Sequence, residues 1–263
     1  QPNGEALHFR NEMIESIYAG RPVLCKDRKS LDMAVLYGYA ANGDNGSEVV
    51  IVNDYWSVDN RVPLAEMWPF FIFLRPGEAV EPVAAARQGL EQAVNNWRRE
   101  AVRANEICVW GNHPSAAIYF YGDQAYAHWI ADLENVDGLD AEQQGQLFHC
   151  NWWNVDCLFS ARANAQGYLK ELAAQVDGEA ATALLRADAY YQAWCSHFHA
   201  TMSPQGPHQE QKLAFLGPWS GKGIAQWDEE IRANERVLLS TWRDLDTQAV
   251  AEIEAALATW PEM

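Results

Sequence analysis

The chain has 263 residues, a formal net charge of −17, 49% hydrophobic residues and 21% charged ones. A surface this acidic repels phosphate backbones and anionic bilayers, which argues against nucleic acid and against a membrane as partners. No apolar run is long enough to span a bilayer, no charged-then-apolar leader opens the chain, and the five cysteines are odd in number and widely spaced with no Cys-x-x-Cys pair. Reduced, buried thiols in the cytoplasm are therefore expected, with no metal and no cofactor.

Taken in order, Glu5 to Ala19 spaces Leu7, Met13, Ile14, Ile17 and Tyr18 at helical intervals ahead of Gly20, which predicts an amphipathic helix with a glycine stop. Pro22 to Cys25 predicts a short strand and Asp32 to Tyr39 a second. Residues 41–47, Ala-Asn-Gly-Asp-Asn-Gly-Ser, supply a turn, and Val49 to Val52 a third strand running out at Asn53-Asp54. Two apolar runs joined by a Gly/Asn-rich segment read as a β-hairpin. Arg61 to Trp68 reads as a connector. Pro69 to Leu74 is wholly apolar between prolines, the pattern of a buried strand in the same sheet. Residues 1–76 thus predict a small unit with an antiparallel sheet.

Composition shifts at Pro76 to Pro82, and from residue 83 to 263 the periodicity is helical. Val83 to Ala104, Asp123 to Glu134, Leu147 to Val176, Glu179 to His199 and Ile224 to Trp260 carry apolar residues at helical spacing. The third has a break expected near Asn154 and the last a join at Asp244–Thr247. Asn105 to Gly122 is interrupted by Gly111, Pro114 and Gly122. The fold class is α+β: an antiparallel sheet unit followed by a larger helical bundle packed through Leu, Ala, Trp and Tyr.

The hairpin supplies the candidate site. Asp32 at the start of one strand and Asn53-Asp54 at the end of the next are expected to be neighbours across the ladder. Paired carboxylates raise one another's pKa, which suits Asp32 and Asp54 to acid–base work. Asn53, Tyr37 and Trp56 are candidate ligand-binding residues beside them. His113, in the breaker-rich loop after Trp110-Gly111-Asn112, is a fourth. His197 and His199 point to different faces of a helix and make no metal site. A thiol at Cys25 would sit on a strand, away from any helix N-terminus that lowers a cysteine pKa.

The stretch Gly20-Arg21-Pro22-Val23-Leu24, Val35–Gly38-Tyr39 and Val49–Asp54, behind an amphipathic helix, resembles the C-terminal half of a papain-like fold. It is most similar to the bacterial branch that holds double-glycine leader peptidases and the N-terminal domain of butirosin biosynthesis protein H. The resemblance covers about residues 10–75 and extends weakly into the helices through Ala125-Tyr126, Trp129, Ala161-Arg162 and Tyr168-Leu169. It implies a catalytic His where this chain has Asp32, and a nucleophilic Cys on a helix that precedes this region in the family. It therefore implies a degenerate papain-like protein that binds a small molecule or peptide in the former cleft. The alternatives are a cysteine-dependent hydrolase or acyl/amide transferase whose Cys lies outside this chain, and a carboxylate enzyme using Asp32 and Asp54. A homodimer or a missing N-terminal segment is a further expectation.

Overall fold

The computed structural model describes residues 9–26, 33–43, 47–53, 59–64, 67, 71–74, 77, 80–103, 118–202 and 223–260. The chain divides into two compact units, Gln1–Ala79 and Val80–Met263. The first is a sheet unit and the second is helical, so the fold is α+β with a larger helical part.

In the sheet unit, helix α1 (Arg10–Tyr18) precedes strands β1 (Val23–Lys26), β2 (Met33–Ala40), β3 (Val49–Asn53), β4 (Asn60–Pro63) and β5 (Phe71–Phe73). Gly20, with φ +70°, closes the helix by donating its N–H to the Ile17 carbonyl at 2.9 Å, in a conformation that glycine adopts without strain. Every strand pair is antiparallel, in the order β4-β3-β2-β1-β5. The expected hairpin is β2–β3, with Val35 opposite Asn53 and Ala40 opposite Val49. Its register shifts between Leu36 and Gly38, a β-bulge that leaves Tyr37 as the extra residue. Strand alternation puts Val23, Cys25, Ala34, Leu36, Val50, Val52 and Val62 on one face, where they bury with Met13 of α1.

Two readings of this unit change. The stretch taken as a connector contains β4, a short edge strand that ends on a proline, where a missing N–H costs no ladder bond. The apolar run expected to be a buried strand is β5, an edge strand paired only with β1, and its Ile72 is exposed. Wholly apolar sequence fits both a two-sided burial and an edge, and periodicity cannot tell them apart.

The helical unit contains α2 (Pro82–Arg98), α3 (Gly122–Glu134), α4 (Ala141–Ala173), α5 (Gly178–Met202) and α6 (Glu229–Ala258), with a two-stranded ribbon of β6 (Val102–Arg103) and β7 (Ile118–Tyr119). Helix α4 runs unbroken for 33 residues through Asn154. It starts within the polar stretch before Leu147 because Asp140 and Gln143 form a reciprocal capping box. Helix α6 likewise runs for 30 residues through the expected join at Asp244–Thr247, from an Asp228 cap. Helix α5 packs between α4 and α6, while α2 and α3 pack on α6.

Two apolar clusters fill the bundle. One is small-residue and leucine-rich: Leu90, Leu169, Leu172, Ala180, Leu184, Ala187, Ala249 and Ile253. The other is aromatic: Tyr126, Trp194, Trp227 and Trp242 with Leu133, Ile231 and Leu239. Among the described residues, no helix is long and apolar enough to cross a membrane.

Candidate functional site

The polar groups of the bundle core follow directly from helix periodicity. On α6 the buried stripe passes through Leu239, Trp242, Asp246, Ala249, Val250 and Ile253, so Asp246 occupies a core position and is fully buried. On α4 the inward stripe passes through Asn151, Val155, Arg162 and Leu169. A carboxylate at such a position needs a partner, and Arg162 supplies one. Its Nε donates to Asp246 Oδ1 at 2.8 Å and its Nη2 to Oδ2 at 2.6 Å, a bidentate pair. Tyr126 Oη on α3 also donates to Oδ2, at 2.8 Å. The guanidinium lies 5.7 Å from the ring centre of Tyr191 on α5. Tyr126 belongs to the aromatic cluster and Tyr191 to the leucine-rich one, so the ion pair sits where the two cores meet.

A cavity of about 700 Å³ opens at this junction. Trp97, Phe120, Tyr126, Trp129 and Tyr191 contribute aromatic walls, and Val94, Leu158, Val250 and Ile253 aliphatic ones. The size and the mostly apolar lining are those of a small-molecule site. The polar groups of the lining residues are the amides of Asn96 and Asn154, the Cys157 thiol, the hydroxyls of Tyr119, Tyr121, Tyr126 and Tyr191, the indole N–H groups of Trp97 and Trp129, and Arg162. Among the described residues that line it, Arg162 alone carries a charge. The Arg162 side chain keeps 19% of its surface exposed, whereas that of Asp246 keeps none. Nε and Nη2 are committed to Asp246, and among the described residues no partner takes Nη1.

The walls are held firmly. Gly122, at φ +49°, starts α3 where a Cβ would stand 2.0 Å from the Trp97 carbonyl oxygen, so only glycine lets α3 approach the end of α2 this closely. Trp129 Nε1 donates to Asn151 Oδ1 at 2.7 Å, and Asn151 Nδ2 donates to the buried Glu235 at 3.0 Å. Trp227 Nε1 donates to the same Glu235 oxygen at 2.9 Å. One cavity wall is thus tied to α6 through a chain of buried hydrogen bonds.

Electrostatics keep the lining neutral apart from the ion pair. Burial, then the Asp246 charge, raises the Tyr126 phenol well above its ordinary value. Burial pushes Tyr191 up to about 12. Burial, with Asp156 beside it, also raises the Cys157 thiol, so it is not a thiolate at neutral pH and is a weak nucleophile.

The sheet-unit candidates fare differently. Asp32, Asp54, Trp56 and His113 lie outside the described residues. Tyr37 and Asn53 are brought together by a residue that sequence reasoning passed over, Asp59. The Asp59 N–H donates to Asn53 Oδ1 at 2.8 Å, and Tyr37 Oη donates to Asp59 Oδ1. That hydrogen bond, more than burial, raises the Tyr37 phenol. Asp59 adopts φ +57°, a left-handed conformation that Asp tolerates better than most residues. Cys25 is fully buried, its Sγ 3.5 Å from the Ala34 carbonyl oxygen. His199 sets its ring edge-on to Phe159. Among the described residues no group of His, Cys, Asp and Glu could hold a metal ion.

The cavity residues were not singled out as a site from sequence. The available signal was an arginine and an aspartate, each on the apolar stripe of a long helix. No protein-family model matches the chain, and no curated protein matches it.

Proposed function

We propose that this protein binds a small molecule and that the aromatic cavity of the helical unit is its binding site. One observation carries the reading: a cavity of about 700 Å³ with apolar walls holds a single charged side chain whose Nη1 is uncommitted among the described residues. Neither Cys25 nor Cys157 is placed for cysteine chemistry. Cys25 is sealed in the sheet core, and Cys157 has a raised pKa.

The test is equilibrium dialysis with naphthalene, whose flat apolar body suits aromatic walls. Saturable binding is expected, and it should be abolished by Ala125→Trp, which fills the cavity from α3. Ala93→Phe, filling from α2, serves if the first variant does not fold. Naphthalene binding that survives both substitutions would refute the reading.

A second reading has one observation in its favour, the convergence of Tyr37 and Asn53 on Asp59 at one end of the sheet. It is the degenerate papain-like cleft, taking a small molecule or peptide beside Asp32 and Asp54. Loss of peptide binding on Asp32→Ala and Asp54→Ala, with the fold intact, would support it. Loss of turnover on the same changes would instead favour a carboxylate enzyme. A cysteine-dependent hydrolase or transferase of bacterial peptide processing would require a nucleophile outside this chain.

A further inference from the structure

We propose that the ligand of the helical cavity is a planar aromatic molecule carrying a neutral hydrogen-bond acceptor, an amide or ketone carbonyl, received by Nη1 of Arg162. This rests on the cavity being a binding site and specifies what it selects.

The walls set the shape of the ligand. Trp97 and Trp129 flank Tyr126, with ring centres 6.3 and 6.4 Å from it, and the Tyr126 and Trp129 planes lie 20° apart. Flat surfaces of this kind favour a flat partner, which loses little conformational freedom on binding.

The acceptor follows from the guanidinium. Arginine has five N–H donors, and Asp246 takes two of them, at Nε and Nη2. The two on Nη1 lie in the guanidinium plane, a fork held rigid by the bidentate pair and by Tyr191 beneath it. A wholly apolar ligand that covered them would leave donors buried without a partner, which is costly. A carbonyl oxygen placed there satisfies them.

Neutrality follows from the charge count. Arg162 and Asp246 sum to zero, and Tyr126 and Tyr191 stay protonated. An anionic ligand would be stripped of water against a site of no net charge, with the Asp246 carboxylate just behind the guanidinium. The net charge of −17 adds long-range repulsion. A carbonyl accepts the same hydrogen bonds without either cost.

The experiment compares naphthalene, naphthamide and naphthoate by calorimetry on the full chain. Naphthamide should bind about tenfold more tightly than naphthalene, the worth of one hydrogen bond to a charged donor, and more tightly than naphthoate. Arg162→Lys keeps a countercharge for Asp246 but removes the fork. It should erase the amide preference, so that naphthalene and naphthamide bind the variant equally well. If that variant does not fold, the ranking on the unaltered chain decides alone. Equal binding of naphthalene and naphthamide, or naphthoate binding tightest, would overturn the carbonyl assignment and leave the cavity reading standing. Failure of all three to bind would overturn both.

Discussion

Each unit contains a trio of arginine, carboxylate and tyrosine, and the two trios sit in opposite surroundings. In the sheet unit Arg10 of α1 donates to Glu48 and, at 2.8 Å, to Tyr39 Oη, and Tyr39 donates to Glu48. The Arg10 and Glu48 side chains keep 36% and 30% of their surfaces exposed. In the helical unit the same three chemical groups, Arg162, Asp246 and Tyr126, lie between two apolar cores with the carboxylate wholly enclosed. Water screens the first trio and makes it a modest tether of helix to sheet. In the second the carboxylate has no exposed surface, so its oxygens must be answered from within, by Arg162 and Tyr126. The same chemical groups thus tether one unit and, in the other, line a cavity.

That contrast is easiest to break at Asp246. Asp246→Ala strands a buried guanidinium and should cost about 3–5 kcal/mol, read from urea unfolding. Indole emission is a suitable probe, because ten of the twelve tryptophans belong to the helical unit and only Trp56 and Trp68 to the other. A loss no larger than that of the exposed trio would erase the distinction. Gly122→Ala forces a side chain into a left-handed backbone and against the Trp97 carbonyl. It should cost roughly 1–3 kcal/mol in the same assay and weaken naphthalene binding, because α2 and α3 must separate. Tyr126→Phe removes one hydrogen bond to a buried carboxylate and should cost about 1.5–3 kcal/mol at most, without emptying the bundle of its shape.

Glu48→Gln should give the smallest stability change of the set, and its effect should depend on pH. Hydrogen bonds from Arg10 and Tyr39 lower the Glu48 pKa, so its stabilisation is present above the unfolded value and lost as pH falls through the folded one. Protection of the β2 and β3 amides, measured against their intrinsic exchange rates at each pH, should therefore fall on acidification more in the unaltered chain than in the variant. Asp188 of α5 behaves with the opposite sign. Burial raises its pKa, so protonation favours the folded state and its burden on stability is relieved as pH falls. Asp188→Asn should stabilise the helical unit near neutrality and lose that advantage in acid. An advantage that grew in acid would contradict the assignment.

Much of the fold was legible in the sequence because its signals were local. The β2–β3 hairpin is announced by alternating Val, Leu and Ile around a Gly/Asn turn, and Gly20 marks the end of α1. The single span of α4 was obscured by a polar first turn whose meaning lies in a capping box, not in hydrophobicity. Asp244–Thr247 looked like a break in α6 because aspartate disfavours helix interiors; Asp246 is tolerated there because Arg162, distant in sequence, answers it. The cavity was invisible for the same reason, since its walls come from five helices and the residues joining them. Tyr37 and Asn53 were two of the candidate ligand-binding residues beside Asp32 and Asp54, yet the aspartate that joins them is Asp59, reached across a bulge that no periodicity encodes.

The most direct test follows the tryptophan indole N–H signals in proton–nitrogen correlation spectra while naphthamide is titrated into the full chain. The signals of Trp97 and Trp129 should move together and saturate, while those of Trp56 and Trp68 stay in place. Saturable shifts at Trp56 or Trp68 with Trp97 and Trp129 unmoved would show that the ligand enters elsewhere, and would contradict the account.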